Sequence, residues 1–515
     1  MSSSSSYAQI LRRHARERPD APALTFAGQT WSFAQLHEGS SRIAQALRAE
    51  GVGPADRVAL LTKNCAECFE LMFACSKIGA ILAGLNWRLS AREIAAIVAD
   101  AAPKVLVVSA EEEALLQDLP VEVAAGMRIV RLGAYYDAWR AAVLPEDPGH
   151  EGTSEEVALL LYTSGTTGLP KGVMLTNEGM AHTPRLGEAW GMGPNSVNLV
   201  AMPMFHIGGC GYGTSTMTRG GHTVLLREVN PAVIVDCIAR YRVTHTFLVP
   251  TVVQSLLQVE GVEQADLSSM QLLMYGAAPM GDVLLRRAMD RLHCRFIQAY
   301  GMTETSGTVA ALPPEDHEPE GPRAHLLGSV GRAYPWVDLR VVDPTTLADA
   351  PAGQVGELWI RSRMVMQGYW NQPGETAAAL VDGEWLRTGD AAYLDGQGYI
   401  FLFDRFKDMI ISGGENIYPA EIENILNGHP AVREVAVIGV PHEKWGETPR
   451  AVVVLRPGEQ ATAEELIAFS RKHLAHYKCP TSVVFTDVLP RNASGKLLKR
   501  ELRRLQPEVR EGAVR

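Results

Sequence analysis

The chain has 515 residues, of which 46% are hydrophobic and 21% are charged, and its formal net charge is −10. This length exceeds what one hydrophobic core usually supports, so we predict two or more domains. The negative charge argues against a general nucleic-acid-binding protein, which would normally carry a basic face.

The seven cysteines do not form the pattern of a disulfide-stabilised protein, because their number is odd and they are widely scattered. This favours a reducing compartment. Cys65 and Cys68 form a C-x-x-C pair, but no second pair or nearby histidine completes a zinc site. They share one face of a predicted helix with Met72 and Cys75, so we interpret them as core residues. The N-terminus lacks a signal peptide and no long apolar run exists, which predicts a soluble cytoplasmic protein without integral membrane association.

Residues 7–150 alternate helix and strand signals. Ser32 with Gln35 and Ser90 with Glu93 form capping boxes, and each predicts the start of a helix. Apolar runs at 58–61 and 105–108 predict strands. This alternation predicts a doubly wound α/β arrangement.

The same alternation resumes after residue 172. Strands are predicted at 198–201, 223–226, 246–249, 272–275 and 296–299, and a helix is predicted at 231–240. From residue 328 to 402 the sequence pattern changes to short predicted strands separated by glycine and proline turns, which predicts a small β-barrel-like subdomain.

A domain boundary is predicted at residues 404–408, DRFKD. The residues after it predict a compact α+β module, with a helix at 420–427, strands at 435–440 and 451–455, and a helix capped by Thr462 with Glu465. We therefore predict an N-terminal core domain over residues 1–404 and a mobile C-terminal domain over 405–515.

Residues 162–172, YTSGTTGLPKG, form the most informative stretch of the sequence. A buried strand is predicted just before it, and the stretch combines hydroxyls, glycine NH groups and Lys171 on one turn. Such a turn suits phosphate oxygens. It is not a Walker A loop, because Lys171 follows Pro170 and precedes Gly172. Its composition alone also fits a polar surface turn, but the lysine and the motifs downstream favour a phosphate-binding loop.

Further stretches contain residues capable of chemistry. They are MPMFH at 202–206 with glycines after it, YGMTET at 300–305, WLRTGD at 385–390, residues 404–416, and PRNASGK at 490–496. Taken singly, each has a structural interpretation. Glu304 fits a helix-start acid, Asp390 a turn residue, Lys496 a solvated charge and His206 a satisfied core histidine.

In this order and spacing, YTSGTTGLPKG, YGMTET, TGD, the 404–416 stretch and PRNASGK resemble the adenylate-forming superfamily of acyl-CoA synthetases, adenylation domains and luciferases. The resemblance covers nearly the whole chain and implies the fold of that superfamily, with a large α/β N-terminal domain and a mobile α+β C-terminal domain. It also implies a two-step reaction. A carboxylate attacks the α-phosphate of ATP to give an acyl-adenylate and pyrophosphate, and a thiol then takes the acyl group. Because an anion must approach a polyanion, positioning and charge neutralisation are the main requirements.

The resemblance implies a nucleotide site built from several motifs. Glu304 would ligate Mg²⁺, which prefers carboxylate oxygen, and Thr303 would hydrogen-bond the α-phosphate. Asp390 would accept from the ribose hydroxyls, with Arg405 nearby. The loop that would grip the β- and γ-phosphates consists of Thr163, Ser164, Gly165, Thr166, Thr167, Gly168 and Lys171. The residues that would enclose the adenine are Tyr300, with Gly301 and Met302 after it, and, on the other side, Gly276, Ala277 and Ala278.

The resemblance further implies a small domain that moves between the two steps. Lys496 would contact the α-phosphate and the attacking carboxylate during adenylation. Lys407 occupies the hinge position, and rotation about it would withdraw Lys496 after adenylation. The same rotation would bring Gly413, Gly414 and Glu415 to the tunnel for the thiol of coenzyme A.

Three classes within the superfamily compete: an acyl-CoA ligase, an amino-acid adenylation domain and a luciferase-like oxygenase. Amino-acid activators of the superfamily usually hold the amine with an aspartate where this chain has His206, and nothing singles out oxygen chemistry. We therefore predict an ATP-dependent carboxylic acid–CoA ligase with ATP, Mg²⁺ and coenzyme A. No nucleic-acid partner is expected, and both a monomer and a homodimer stay open.

The acyl pocket is predicted to be lined by residues of the 202–213 stretch and of the two following motifs, namely His206, Gly208, Gly209, Tyr275 and Gly307. The run KDMIISGGENIYPAEIE at 407–423 looks most like medium- and long-chain fatty acyl-CoA ligases, so we predict a fatty acid as substrate. Aryl or other short carboxylic acids are the alternative, followed by a carrier-protein-directed acyl adenylating enzyme.

Overall fold

The computed structural model describes residues 6–163, 170–278, 280–405, 408–412, 415–491 and 497–505, with the side chains of residues 282, 404, 405, 411, 415, 416 and 505 left aside. In chain order, the elements up to residue 141 are α1 (Tyr7–Glu17), β1 (Pro22–Phe26), β2 (Gln29–Ser32), α2 (Phe33–Ala49), β3 (Arg57–Leu61), α3 (Ala66–Ser76), β4 (Ile81–Gly84), α4 (Ala91–Ala101), β5 (Val105–Val108), α5 (Val121–Ala125), β6 (Arg128–Arg131) and α6 (Ala134–Ala141).

The next part of the chain contains β7 (Val157–Thr163), β8 (Lys171–Thr176), α7 (Asn177–Met180), α8 (Thr183–Ala189), β9 (Val197–Val200), α9 (Ile207–Thr218), β10 (His222–Leu225), α10 (Pro231–Tyr241), β11 (His245–Leu248), α11 (Pro250–Leu256), β12 (Leu272–Gly276), α12 (Asp282–Leu292), β13 (Arg295–Met302) and β14 (Gly307–Leu312). A single 3₁₀ turn, Thr303–Thr305, connects β13 to β14.

The remaining elements are β15 (Arg332–Ala333), β16 (Asp338–Val342), β17 (Gly356–Arg361), β18 (Gly368–Tyr369), α13 (Pro373–Ala379), β19 (Leu380–Val381), β20 (Trp385–Leu394), β21 (Ile400–Arg405), β22 (Ile410–Ser412), β23 (Glu415–Ile417), α14 (Pro419–Asn427), β24 (Val432–His442), β25 (Gly446–Leu455), α15 (Ala463–Arg471), β26 (Ser482–Phe485) and α16 (Lys499–Leu505).

Two large sheets dominate the structure. One has seven strands in the order β18-β8-β7-β4-β3-β5-β6, in which β7, β4, β3, β5 and β6 are parallel. The other has nine strands in the order β15-β14-β13-β12-β11-β9-β10-β1-β2, parallel from β13 through β1 and antiparallel at both ends. Parallel sheets covered by helices on their faces are the doubly wound arrangement that the sequence predicts, so that fold class is confirmed.

The main hydrophobic core combines strand residues of both large sheets with α3 and α9. Leu60 of β3, Phe69 of α3, Tyr212 of α9 and Leu225 of β10 all belong to it. A second core lies on the other face of the nine-stranded sheet, where residues of α10 and α12 pack on it. Because side chains alternate along a strand, neighbouring residues of β12 enter different cores.

Two smaller sheets complete the fold. Strands β16, β17, β20 and β19 pair in that order, with β21 against β20, which gives the antiparallel β subdomain predicted for residues 328–402. The last sheet has the order β23-β22-β25-β24 with β26 beside β25, and α14, α15 and α16 belong to the same region. The α+β character predicted for this region is therefore confirmed, while a domain boundary at 404/405 stays a prediction.

The helix starts predicted from capping boxes are confirmed. Ser32 with Gln35, Ser90 with Glu93 and Thr462 with Glu465 each make both hydrogen bonds of the box. Every one satisfies backbone donors that the first helical turn would otherwise leave unpaired. None of the helices in the described part of the chain has the length and apolarity that a bilayer crossing requires.

Candidate active site

A β-hairpin carries the predicted phosphate loop. Strands β7 and β8 pair antiparallel, and their register ends with Thr163 opposite Lys171. The apolar run before the loop is a largely buried strand, as predicted, so the loop starts and ends at a rigid sheet. Its central residues, Ser164, Gly165, Thr166, Thr167 and Gly168, lie outside the described residues.

Lys171 is held at the base of this loop by an acid and an aromatic ring. Its side chain is 11% exposed, and its ammonium forms an ion pair with Glu375, in the first turn of α13. The Nζ atom also lies 5.0 Å from the ring centroid of Tyr369. These partners take the place of water around a lysine side chain that has little solvent access.

Glu304 lies in the 3₁₀ turn between β13 and β14 and is 8% exposed. The Tyr369 hydroxyl donates to its Oε1 at 3.0 Å, and the Met366 NH donates to its backbone oxygen at 2.8 Å. Within the described ranges, no lysine or arginine forms an ion pair with this carboxylate. Buried carboxylates normally have a cationic partner or a metal, so the donor set at Glu304 fits a bound cation.

A tyrosine–aspartate pair lies near the end of β13 in the nine-stranded sheet. The Tyr300 hydroxyl donates to Asp390 Oδ2 at 2.7 Å. Asp390 belongs to β20, and its backbone lies opposite that of Arg405 at the end of β21. The TGD segment of β20 therefore links the antiparallel β subdomain to the nine-stranded sheet through a contact between side chains far apart in sequence.

The end of β12 requires a glycine. A Cβ atom at Gly276 would lie 2.2 Å from the backbone oxygen of Ala299 on β13, which is far inside van der Waals contact. The next residue, Ala277, has a positive φ of 64°, and both it and Ala278 are exposed. The chain thus turns sharply away from the sheet and leaves a flat, small-residue surface beside Tyr300 at the end of β13.

His206 caps the N-terminus of α9. Its Nδ1 accepts a hydrogen bond from the Gly208 NH at 3.0 Å, which satisfies one of the free donors of the first turn. Gly209 is constrained by packing, because a Cβ there would lie 2.0 Å from the backbone oxygen of Pro203. The Met-Pro-Met-Phe-His stretch and its glycines thus form a tight entry into a buried helix.

The side chain of Tyr275 does not face α9. Its ring packs against Phe296 and His317 in the outer core, with centroids 6.4 and 5.7 Å away. Burial lowers the pKa of His317 to about 4, so the imidazole is neutral near pH 7. Its Nδ1 donates to the Pro313 oxygen at 2.9 Å and its Nε2 accepts from the Tyr275 hydroxyl at 3.1 Å. The ring of Tyr275 thus lies in the outer core, and its role at the acyl pocket stays a prediction.

Aromatic residues that the sequence did not single out pack along α9. The rings of Trp190 and Tyr212 lie 5.9 Å apart, and those of Tyr212 and Phe247 lie 5.6 Å apart. A Cβ at Gly208 would lie 3.2 Å from the Phe247 ring, which shows how closely this ring approaches the first turn. A Cβ atom added at Gly307 would lie 3.8 Å from the side chain of Ile207, the first residue of α9. The three buried rings give the packing around α9 an apolar, aromatic character.

No reactive cysteine was found among the described residues. Cys210 of α9 is fully buried, and burial raises the pKa of its thiol to about 12. Cys65 and Cys68 are buried too, with their sulfur atoms 3.7 Å apart, which confirms that they are core residues. Burial therefore disfavours the thiolate form of Cys210.

The structure brings some predicted residues together and leaves others aside. Lys171 and Glu304 converge on Tyr369, and Tyr300 contacts Asp390. Arg405 and Glu415 are described through their backbones alone. The remaining predicted residues, Lys407, Gly413, Gly414 and Lys496, lie outside the described residues.

Tyr369 and Glu375 are site residues that sequence reasoning missed. Both lie in the segment GYWNQPGET at 368–376, between two motifs that drew attention. Gly368 has a φ of +152° and its Cβ position is blocked by Thr376, whose hydroxyl accepts from the Tyr369 NH at 2.9 Å. A glycine before two aromatic residues and a proline is the local signal that could have drawn attention to this turn.

A hydroxyl- and glycine-rich hairpin sequence, a buried carboxylate beside its lysine and a tyrosine–aspartate pair together fit what an adenylate-forming site is expected to have at its nucleotide end. Comparison with known families agrees with this class. The AMP-binding enzyme family matches residues 11–370, and the AMP-binding enzyme C-terminal domain matches residues 421–496. The chain therefore belongs to the AMP-binding enzyme family and is an AMP-forming acid–thiol ligase of the acyl-CoA synthetase type.

Individual relatives cover almost the full chain. A fatty acid–[acyl-carrier-protein] ligase, ScoC of Streptomyces coeruleorubidus, is 40% identical over 96% of this chain and 95% of its own length. A feruloyl-CoA synthase of an Amycolatopsis species is also 40% identical, over 96% of this chain and 97% of its own. Among solved structures, ATP-bound MatB from Rhodopseudomonas palustris has a TM-score of 0.88 at 31% identity, covering 96% of this chain and 98% of its own.

Proposed function

We propose that this protein is an ATP-dependent carboxylic acid–CoA ligase that acts on a medium- or long-chain fatty acid. In the first step a carboxylate oxygen attacks the α-phosphorus of ATP, and pyrophosphate leaves. In the second step the thiol sulfur of coenzyme A attacks the carbonyl carbon of the acyl-adenylate, and AMP leaves. The observation that carries the proposal is the convergence of Lys171 and Glu304 on Tyr369, beside a hairpin loop whose composition suits phosphate.

The nucleotide would lie across the ends of β7, β12 and β13. Thr163, Lys171 and the loop residues between them would bind the β- and γ-phosphates, and Thr303 would donate to the α-phosphate. Adenine would lie between Tyr300 and the segment 276–278, whose shape is set by the blocked Cβ position of Gly276 and the positive φ of Ala277. Asp390 would accept from the ribose hydroxyls, which requires it to share or leave its bond with Tyr300.

Glu304 would hold a magnesium ion together with oxygens of the polyphosphate. The described residues contain no cluster of three or more metal-binding side chains. A single protein carboxylate completed by phosphate oxygens and water is, however, a common arrangement for Mg²⁺ at nucleotide sites. When bound, the ion would neutralise part of the polyphosphate charge, while the chain's own role is to hold one buried carboxylate in a fixed orientation.

The second half of the reaction would use the region after residue 404 as a separate domain. Lys496 would act during adenylation, and rotation about Lys407 would bring Gly413, Gly414 and Glu415 to the thiol tunnel, with Arg405 next to the hinge. The family match at residues 421–496 and the separate sheet of β22–β26 support this division. One chain would thus form two active sites in turn.

The acyl group would lie along α9, near His206, Gly208, Gly209 and Gly307. The apolar environment that the buried rings of Tyr212, Phe247 and Trp190 provide supports an apolar acid there. Similarity to a fatty acid ligase supports an aliphatic chain. Equal similarity to a feruloyl-CoA synthase favours an aryl acid as the second candidate.

Coenzyme A is the proposed thiol, and a carrier protein is its competitor. The feruloyl-CoA relative supports the former, and the [acyl-carrier-protein] ligase relative, at the same identity, supports the latter. Both acceptors end in the same chemical group, a thiol on a flexible arm, so the nucleotide end of the site does not distinguish them.

The test is AMP and pyrophosphate release with Mg-ATP across fatty acids of rising chain length and several aryl acids, with and without coenzyme A. We expect sustained turnover only with coenzyme A and a maximum at one fatty-acid length. A maximum with an aryl acid would show that the substrate is an aryl acid and not a fatty acid. Turnover restored only by a carrier protein would show that the carrier protein, and not coenzyme A, is the thiol acceptor. Absence of AMP formation with every acid would refute the proposal.

A further inference from the structure

The segment from Met364 to Trp370 connects two parts of the site. On one side β18 pairs with β8, and the Trp370 NH donates to the Gly172 oxygen at 2.7 Å, directly after Lys171. On the other side the Met366 NH donates to the Glu304 oxygen at 2.8 Å. The same short segment therefore fixes the backbone of the phosphate-loop hairpin and of the turn that carries Glu304.

The side chain of Tyr369 also connects these two parts of the site, because it contacts both Glu304 and Lys171. Its hydroxyl donates to Glu304 Oε1, and its ring face lies under the ammonium of Lys171. The hydroxyl thus contacts the anion and the ring contacts the cation of one site. Because Tyr369 is neutral, it orders both charges without cancelling either of them.

A carboxylate that binds a metal ion has to be held in one conformation. A glutamate side chain has three rotatable bonds, and binding a cation requires one rotamer of them. The bond from Tyr369 holds Oε1, while no partner of Oε2 is found among the residues described. Groups that hold a metal ligand in place in this way commonly tune metal affinity without touching the ion.

We propose that Tyr369 is a positioning residue for the magnesium ligand Glu304: its hydroxyl fixes the carboxylate through Oε1 and leaves Oε2 for the ion. The inference rests on the proposed function, in which Glu304 binds magnesium together with ATP. Tyr369 acts through Glu304 and contacts neither the ion nor the reacting atoms.

The test is Tyr369→Phe, which removes the hydroxyl and keeps the ring beneath Lys171. The affinity of the protein for Mn²⁺ in the presence of a non-hydrolysable ATP analogue is measured by electron paramagnetic resonance. We expect the affinity to fall roughly tenfold, the usual size of an effect on a group that holds a metal ligand. The magnesium concentration for half-maximal pyrophosphate exchange should rise by the same factor, with the KM for the carboxylic acid unchanged.

Tyr399→Phe is the matched control. The Tyr399 hydroxyl also donates to a buried carboxylate, Oδ2 of Asp316 at 2.7 Å, and Tyr399 is not part of the proposed site. Its substitution should leave Mn²⁺ affinity unchanged. An equal loss in both variants would mean that removal of any buried tyrosine hydroxyl weakens binding, and it would overturn the specific role of Tyr369.

The double variant Tyr369→Phe with Glu304→Gln separates this inference from the proposed function. If Tyr369 acts through Glu304, the double variant binds Mn²⁺ as weakly as Glu304→Gln alone. Weaker binding in Glu304→Gln with normal binding in Tyr369→Phe would overturn the positioning role alone. Normal binding in Glu304→Gln would overturn the magnesium role and the inference with it.

A second variant covers the case in which Tyr369→Phe is unstable. Glu304→Asp shortens the acid by one methylene and withdraws it from the Tyr369 hydroxyl without changing residue 369. It should also weaken Mn²⁺ binding, because the shorter acid loses the bond from the Tyr369 hydroxyl. Unchanged Mn²⁺ affinity in Glu304→Asp would contradict the inference.

Discussion

Glu375→Gln tests whether the ion pair at Lys171 competes with ATP. The Lys171 ammonium pairs with Glu375, whose side chain is 38% exposed. If Lys171 binds the β- and γ-phosphates, it must leave this partner or share it when ATP binds. The ion pair then acts against nucleotide binding, and neutralising residue 375 should strengthen binding.

The size of the effect follows from the exposure of the pair. Exposed ion pairs contribute up to about 1 kcal/mol, and a charge-assisted hydrogen bond with less water contributes somewhat more. Lys171 is largely buried but Glu375 is not, so solvent screens the pair and about 1 kcal/mol is a reasonable value. Since RT is about 0.6 kcal/mol, this corresponds to an approximately fivefold lower KM for Mg-ATP.

The assay is acid-dependent ATP–pyrophosphate exchange with varied Mg-ATP, at low salt and at about 1 M salt, where charges are screened within about 3 Å. We expect the KM to fall about fivefold at low salt and the difference to shrink at high salt. Glu384→Gln is the control, because Glu384 forms its ion pair with Arg361, at 3.4 Å, and not with Lys171. A higher KM, or a lower kcat with the KM unchanged, would refute competition and show that Glu375 positions Lys171.

Further predictions concern residues of the proposed nucleotide site. Glu304→Gln should raise the magnesium requirement and lower adenylation about a hundredfold, the scale of losing one preorganised electrostatic group; an unchanged magnesium titration would count against metal ligation. Lys496→Ala should abolish adenylation yet leave thioester formation from supplied acyl-adenylate largely intact, and equal damage to both half-reactions would exclude a role in the first step alone. Tyr300→Phe removes the hydrogen bond to Asp390, so the ribose hydroxyls have one competitor fewer for the Asp390 carboxylate. The KM for ATP should stay within about threefold, while Asp390→Ala should raise it at least tenfold; equal effects of the two substitutions would contradict the ribose role.

Much of the fold was readable from local patterns. The apolar run before the phosphate loop and the capping boxes at Ser32, Ser90 and Thr462 all lie where the structure has the corresponding elements. These signals are local, because a cap or a buried strand is determined by residues within one or two turns of it. The order of strands was less accessible: β1 and β2 come first in the chain but close the far edge of the nine-stranded sheet.

The site was predictable where a motif carries chemistry and less so where packing decides. Tyr275 was expected to line the acyl pocket, which stays a prediction; strand alternation places its ring in the outer core, next to His317. Tyr369 and Glu375 were missed because their importance depends on pairing with Glu304 and Lys171. Those pairings follow from the register of β18 against β8, which single-sequence periodicity does not reveal.

The central claim is that the carboxylic acid is activated as an adenylate before any thiol takes part. It is tested most directly by incubating the enzyme with an accepted acid and ATP labelled at the α-phosphate, without coenzyme A, and by analysing the enzyme-bound nucleotide. The account predicts one labelled acyl-adenylate per active site, which is converted to labelled AMP and an acyl thioester when coenzyme A is added. Release of ADP, or thioester formation with no acyl-adenylate beforehand, would contradict it.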